Sequence, residues 1–169
     1  MKHKSFKGSE CPIARGLDQV GEWWSMLILR EAFYGAKKFD EFQKGLEEIA
    51  PNTLTRRLKK LVQSGLFERR RYRVRPERFE YVLTRRGRDF YPVLWALIEW
   101  GNKHFSPKGD IVQLKSFKTQ KKAIPYLADR NTGTEISPDD YHIVAGPAAT
   151  AAVRNKISLS RQGKIYDQR

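Results

Sequence analysis

Cysteine is almost missing from this 169-residue chain, and Cys11 alone cannot supply an internal disulfide or a zinc site built on several thiolates. The three histidines, His3, His104 and His142, are scattered without metal-ligand spacing, so neither a metal nor a cofactor is expected. Acid is scarce as well. Nineteen Asp and Glu face 33 Lys and Arg, a formal charge of +14 and a pI near 10.0. Long apolar runs are also lacking: "PVLWALIEW" falls far short of the roughly 18 residues that span a bilayer. "MKHKSFKGSECPIARG" has cations without an apolar stretch behind them, so neither a secretory leader nor an anchor is expected and a cytoplasmic location follows. No nucleophile and base pair and no Gly-rich phosphate loop is visible, which sets enzymes aside. The excess of cation invites a polyanion, either nucleic acid or an acidic membrane surface.

Where the cations stand is more telling than their number. Between residues 50 and 88 there are thirteen Lys or Arg against only Glu68, Glu77 and Glu80. The same stretch keeps an apolar order. Leu54, Leu58, Leu61 and Val62 fall on one face of a helix that begins at Pro51, a residue preset for a first helical turn, and stops at Gly65. That spacing turns Asn52, Thr53, Arg56, Arg57 and Lys60 outward. Upstream, residues 11–34 read as two helices, with Ile13, Leu17 and Val20 and then Leu27, Ile28 and Phe33 at helical spacing, and Phe39, Phe42, Leu46 and Ile49 mark a short helix over about 39–47. Downstream the period becomes two. "LFERRRYRV" and "FEYVLT" read as antiparallel strands joined by the tip "RVRPER". A long helix is then expected from the cap Thr84 to about His104, with Pro92 bending it or marking its true first turn.

Two short helices with a tight turn, the second basic on its exposed face, followed by a cationic hairpin, are the parts of a winged helix-turn-helix. The expected fold is therefore mainly α with a small antiparallel β wing, flanked by dimerisation helices and a short mixed C-terminal extension. A helix of this kind fits the major groove of duplex DNA. Arg56 and Arg57 are the candidates for guanine edges. Pro51, Asn52, Thr53 and Thr55 stand at the helix start, where free amides attract anions. Lys59 and Lys60, with Lys38 ahead of the helix pair, are expected on phosphate, and Arg71, Arg73, Arg75 and Arg78 of the wing along the backbone or in the minor groove, where they give affinity more than specificity. The plain alternative for a basic helix face is a solvated surface, and agreement of pattern, order and charge position is what favours DNA.

The stretches "CPIARGLDQVGEWWSMLILREAFYGAKKFDEF", "IAPNTLTRRLKKLVQSGLFERR" and "FEYVLTRRGRDFYPVLWALIEWG", in this order over about residues 11–105, closely resemble the HxlR-type family of bacterial winged helix-turn-helix transcriptional regulators. The resemblance implies a homodimer whose interface is formed by the first helix and the helix after the wing, through Ile13, Leu17, Phe90, Val93, Leu94, Leu97, Ile98 and Trp100. It also implies recognition helices placed on twofold-related half-sites of double-stranded DNA, with repression the expected outcome. Ala50 departs from the family's common serine, which removes a helix cap. Some members sense oxidants or electrophiles through a cysteine matching Cys11. Here a helix start with Lys7 and Arg15 nearby in sequence would lower the thiol pKa, and the reading set against it is a small residue buried at the dimer interface. A small-molecule or oxidant effector is thus left open.

The tryptophans Trp23, Trp24, Trp95 and Trp100 read as core or dimer packing, and Tyr72, Phe79 and Tyr81 as strand core. The chain divides into a DNA-binding and dimerisation domain, 1–105, and an extension, 106–169, in which "IVQLKSF" and the residues around a turn at Asn131 to Thr134 suggest short strands and "RNKISLSRQGKIYDQR" a mobile end. A basic nucleic-acid-associated protein without sequence preference is the competing class. It predicts little discrimination between duplexes, where a specific regulator predicts roughly 10³-fold or more.

Overall fold

The computed structural model describes Phe6 and residues 8–160. Its elements are α1 (Pro12–Val20), α2 (Trp23–Phe33), α3 (Phe39–Gly45), α4 (Pro51–Gln63), β1 (Phe67–Arg73), β2 (Arg78–Leu83), α5 (Arg85–Arg88), α6 (Tyr91–Phe105) and α7 (Ala151–Ser160). They fall into two compact units. One runs from Gly16 to Pro125, and the other joins the described chain before Gly16 to that after Pro125. Residues 106–125 thus cluster with the helices and the wing.

The core of the larger unit is the one that the apolar spacing requires. Ile28 and Leu29 of α2, Phe42 of α3, Leu54, Leu58 and Leu61 of α4 and Phe67 of β1 are all buried. They form one cluster with Leu46, Ile49 and Leu66. Phe42 is its hub, with the rings of Phe67 and Tyr81 edge-on to it at 6.1 and 6.4 Å. α3 stops at Gly45, short of the expected residue 47, because Leu46 and Ile49 are buried from the turn before α4 and not from the helix. Gln43 fixes that turn by donating from Nε2 to the carbonyl of Ile49 at 2.7 Å. Burying two turn residues needs that anchor, since a free backbone carbonyl there would lose water without a replacement.

α4 begins at Pro51 without a side-chain cap from Ala50. Ala50 is extended, and its carbonyl accepts from the amides of Thr53 and Leu54 at 2.8 and 3.0 Å. The helix start is therefore definite even though a serine is missing. At the other end Gly65, with φ +69°, closes a paired C-terminal motif in which its own amide reaches Val62 and that of Leu66 reaches Leu61.

Beyond the wing the helix expected from Thr84 is two, and of the two roles expected of Pro92 it has the second, marking the first turn of the longer one. Thr84 caps α5, its Oγ1 accepting from the amide of Gly87 at 3.1 Å and donating to the carbonyl of Gly65 at 2.6 Å. Gly87 is buried so close to the end of α4 that a Cβ there would overlap the carbonyl oxygen of Leu66. That tight seat turns the chain, and α6 restarts at Tyr91 with Pro92 in its first turn. In the extension the expected strands shrink to isolated bridges, Lys115 with Lys122 and Ala128 with Glu135, the second around a turn at 130–132. Of the end expected to be mobile, Arg154 to Ser160 lie in α7, and the remainder lies outside the described residues.

Candidate nucleic-acid interface

α4 lies against α2 and β1. The leucines that hold it there leave Pro51, Asn52, Thr55, Arg56, Lys59 and Gln63 exposed on the opposite side. Asn52, Arg56, Lys59 and Gln63 follow one another at helical spacing, so the exposed side is a stripe, neutral at its start and cationic along its middle. The hydroxyl of Thr55 donates back to the carbonyl of Pro51 at 2.9 Å, which leaves its lone pairs outward. The side chains of Arg56 and Lys59 have no ion pair or hydrogen bond among the described residues.

Arg57 corrects the sequence reading. Its side chain is only 12% exposed and its Nη2 pairs with Glu22 Oε2 at 2.7 Å, while its Nε is buried without a partner among the described residues. Thr53 and Lys60, on the same flank, are half-buried. The outward set is therefore Asn52, Thr55, Arg56 and Lys59.

The wing is the antiparallel pair β1 and β2, in register from Phe67 opposite Leu83 to Arg73 opposite Arg78, with an irregularity between Arg71 and Arg73. Lys38 adds a bridge to Glu80 on the far side of β2, and the amide of Tyr81 donates to the carbonyl of Lys37 at 2.7 Å. This ties the wing to the start of α3. That start is held in turn by Glu41, whose Oε2 accepts from the amides of Lys37 and Lys38 at 2.8 and 3.0 Å, which keeps its carboxyl below the ordinary range. Beyond Phe67 every residue of β1 is exposed. Several wing cations are engaged: Arg70 with Glu68, Arg71 with Glu77 at 3.3 Å, and Arg69 stacked over the ring of Phe79 at 3.4 Å. Tyr72 is exposed rather than core, with the ammonium of Lys38 5.3 Å from its ring centre. Near the tip Arg73 and Arg78 stand directly opposite one another. Like charges in that position cost stability in the free protein and suit an anion placed between them. Arg75 and Arg78 have no side-chain partner among the described residues.

A short two-helix turn with an outward cationic stripe, followed by a basic hairpin, now stands as geometry. The HxlR-like helix-turn-helix family matches residues 19–109. The chain belongs to that family. A Mycobacterium tuberculosis relative described as the HTH-type transcriptional regulator Rv3095 is 38% identical over 140 residues, covering 82% of this chain and 88% of its own length. Among solved structures, the Pseudomonas aeruginosa protein PA1374, described as a candidate transcription factor, is similar at 45% identity and TM-score 0.64, over 86% of this chain and 99% of its own. The redox regulator HypR in its oxidised form is similar at 32% identity and TM-score 0.52, over 56% of this chain and 97% of its own. The similarity to Rv3095 and PA1374 thus covers more of this HxlR-like chain than the family match does.

In this HxlR-like chain the residues expected at a dimer interface do not share one environment. Ile13, Leu17, Val93, Leu97 and Trp100 are exposed, Trp100 with the ring of Phe105 edge-on to it at 4.9 Å. Leu94 is instead buried, and Phe90 packs against the core cluster, while Ile98 is half-buried. The face read as one stripe is therefore two, since Phe90 and Leu94 hold α6 to its own chain. Trp23 at 76% exposure also stands free of the core, while Trp24 packs on it. Cys11 is exposed at the start of α1. The backbone amides of Ala14 and then Ile13 draw its thiol pKa down, with a smaller pull from Lys156 of α7. Lys7 lies outside the described residues, and Lys156, distant in sequence, could not be found by proximity along the chain. Among the described residues no group of three or more His, Cys, Asp or Glu could hold a metal, and no helix is long and apolar enough to cross a membrane.

Proposed function

We propose that the chain is a transcriptional regulator that binds double-stranded DNA as a homodimer, recognises sequence through α4 and represses. One observation carries the reading: Arg56 and Lys59 are outward, and their side chains are unpaired among the described residues, on a helix whose opposite face is fixed by Leu54, Leu58 and Leu61. The helix fixes the side from which these residues leave the backbone, and an unpaired guanidinium can give a bidentate contact to a base edge. The family and the relatives named as transcriptional regulators support the class of function. The exposed apolar residues of α1 and α6 support self-association, because Ile13, Leu17, Val93, Leu97 and Trp100 otherwise face water. Residues 106–169 are proposed as an extension attached to the reader.

Selection of bound sequences from a random duplex pool tests this. A twofold-symmetric consensus is expected, bound by two chains and preferred over random duplex by roughly 10³-fold or more at fixed salt. Equal binding of selected and random duplexes would instead assign the chain to nucleic-acid-associated proteins without sequence preference.

A second reading concerns control. We propose that oxidation of Cys11 releases the regulator from DNA, favoured by its exposure and lowered thiol pKa and by the likeness to a redox regulator. With one cysteine per chain, the oxidised product is a disulfide between two subunits or a mixed disulfide with a small thiol. Mild oxidant should release wild type and spare Cys11→Ser, and equal release of both rejects the idea.

A further inference from the structure

We infer that Glu22, a residue outside the DNA-facing set, is a positioning residue for sequence recognition: its ion pair with Arg57 sets the roll of α4 and thereby aims Arg56 and Lys59. This rests on the proposed function. Along its length α4 is held otherwise by Leu54, Leu58 and Leu61, and apolar packing, being non-directional, tolerates small rotations about the helix axis, while hydrogen bonds from Gln43 and Thr84 fix the turns at its two ends. The pair of Arg57 and Glu22 adds a charged contact at one point on the flank of the helix, and a rotation of α4 would pull it apart. The pair lies on one flank of the leucine stripe, between α4 and the residue just before α2, with its two side chains 12% and 28% exposed. It is the one ion pair in the described residues that ties α4 to another element.

Both partners are committed to it. Glu22 stands at the N-cap of α2, where a carboxylate is favoured to accept the helix's own amides, yet its side chain makes no cap bond and reaches Arg57. Its backbone is fixed from both sides. Gly21 donates to the carbonyl of Leu17, a Cβ on Gly21 would overlap that oxygen, and the amide of Ser25 returns to the carbonyl of Glu22 at 2.7 Å. Arg57 is the neighbour of Arg56 on α4, so any roll that breaks the pair moves Arg56 with it. At the outer radius of a helix, about 6 Å, a roll of about 10° displaces a side chain by about 1 Å, beyond the tolerance of about 0.5 Å that a recognition site allows.

The experiment compares Glu22→Gln, Arg57→Gln, the double variant, Glu22→Asp and Arg57→Lys with wild type, measuring affinity for the selected duplex and for random duplex at one salt concentration, alongside thermal unfolding. Glu22→Gln is expected to lower the preference for the selected duplex about tenfold or more, the discrimination that a single bidentate base pairing supplies, with random-duplex affinity changed less than about threefold. Arg57→Gln should lose the same preference, and the double variant no more than either single one, since both remove one interaction. Glu22→Asp, which keeps the charge, should recover part of it. The inference is overturned if Glu22→Gln tightens and Arg57→Gln weakens both duplexes in equal proportion, which would make Arg57 a plain cation masked by Glu22. Retained preference in both variants overturns it too. Should Glu22→Gln unfold, the Arg57 variants decide: Arg57→Lys keeps a cation for Glu22 and should keep part of the preference, and undiminished preference in Arg57→Gln sinks the positioning role. A wild type that prefers no duplex removes the DNA reading itself, an outcome distinct from each of these.

Discussion

Leu58→Ala is expected to cost about 2–5 kcal/mol of folding stability, with the urea midpoint lowered and the slope of the transition unchanged. Leu58 is fully buried at the middle of α4, between Leu54 and Leu61, in the cluster that also holds Ile28, Phe42 and Phe67. The cavity left by its removal is lined on several sides by different elements, so no single one can move in to fill it. Since a domain of this size has only about 5–15 kcal/mol in hand, the loss is a large share of the whole. Lys59→Ala, one position further along and exposed, is the control, and should stay within about 0.5 kcal/mol of wild type. A shift for Lys59→Ala as large as that for Leu58→Ala would contradict the orientation of α4 on which the outward stripe depends.

The same helix shows which features are legible in the sequence. Leu54, Leu58 and Leu61 announce their face because helical period alone brings them together, and Asn52, Thr55, Arg56 and Lys59 point away for the same reason. Arg57 sits about 65° from the centre of the stripe, at 3.6 residues per turn. At such a flank the periodicity does not decide between solvent and protein. What decides is Glu22, 35 positions earlier, and no local pattern connects the two. The break between α5 and α6 has the same character: Thr84 and Pro92 are visible as signals, but the turn between them depends on the seat of Gly87 against Leu66. Leu94, expected against a partner chain, is satisfied by its own, since an apolar face on a helix says that burial is required without saying by what. In the extension, short apolar runs read as strands become isolated bridges, because a strand needs a neighbour of comparable length and residues 106–150 offer none among the described residues.

Arg56→Ala and the paired change Arg75→Ala with Arg78→Ala should separate specificity from affinity. Arg56 stands on the outward stripe of α4, its side chain unpaired among the described residues. Its replacement should relax the preference at the base it meets by about 1–3 kcal/mol, roughly 5- to 150-fold, with a small loss on random duplex. Arg75 and Arg78 are exposed at the wing tip and lack side-chain partners among the described residues. An arginine free in this way releases counterions when it meets phosphate, so removing both should weaken selected and random duplexes alike. The slope of log affinity against log salt should then fall by about 1.8, near 0.9 for each phosphate that is no longer neutralised. The wing variant should also gain folding stability, because Arg78→Ala removes the like charge opposite Arg73; unfolding measured without DNA isolates that effect. The two assignments can fail separately. If Arg56→Ala leaves the selected consensus unaltered, α4 does not read bases through that side chain, and if the wing variant keeps the wild-type salt slope, the arginine tip does not lie on phosphate.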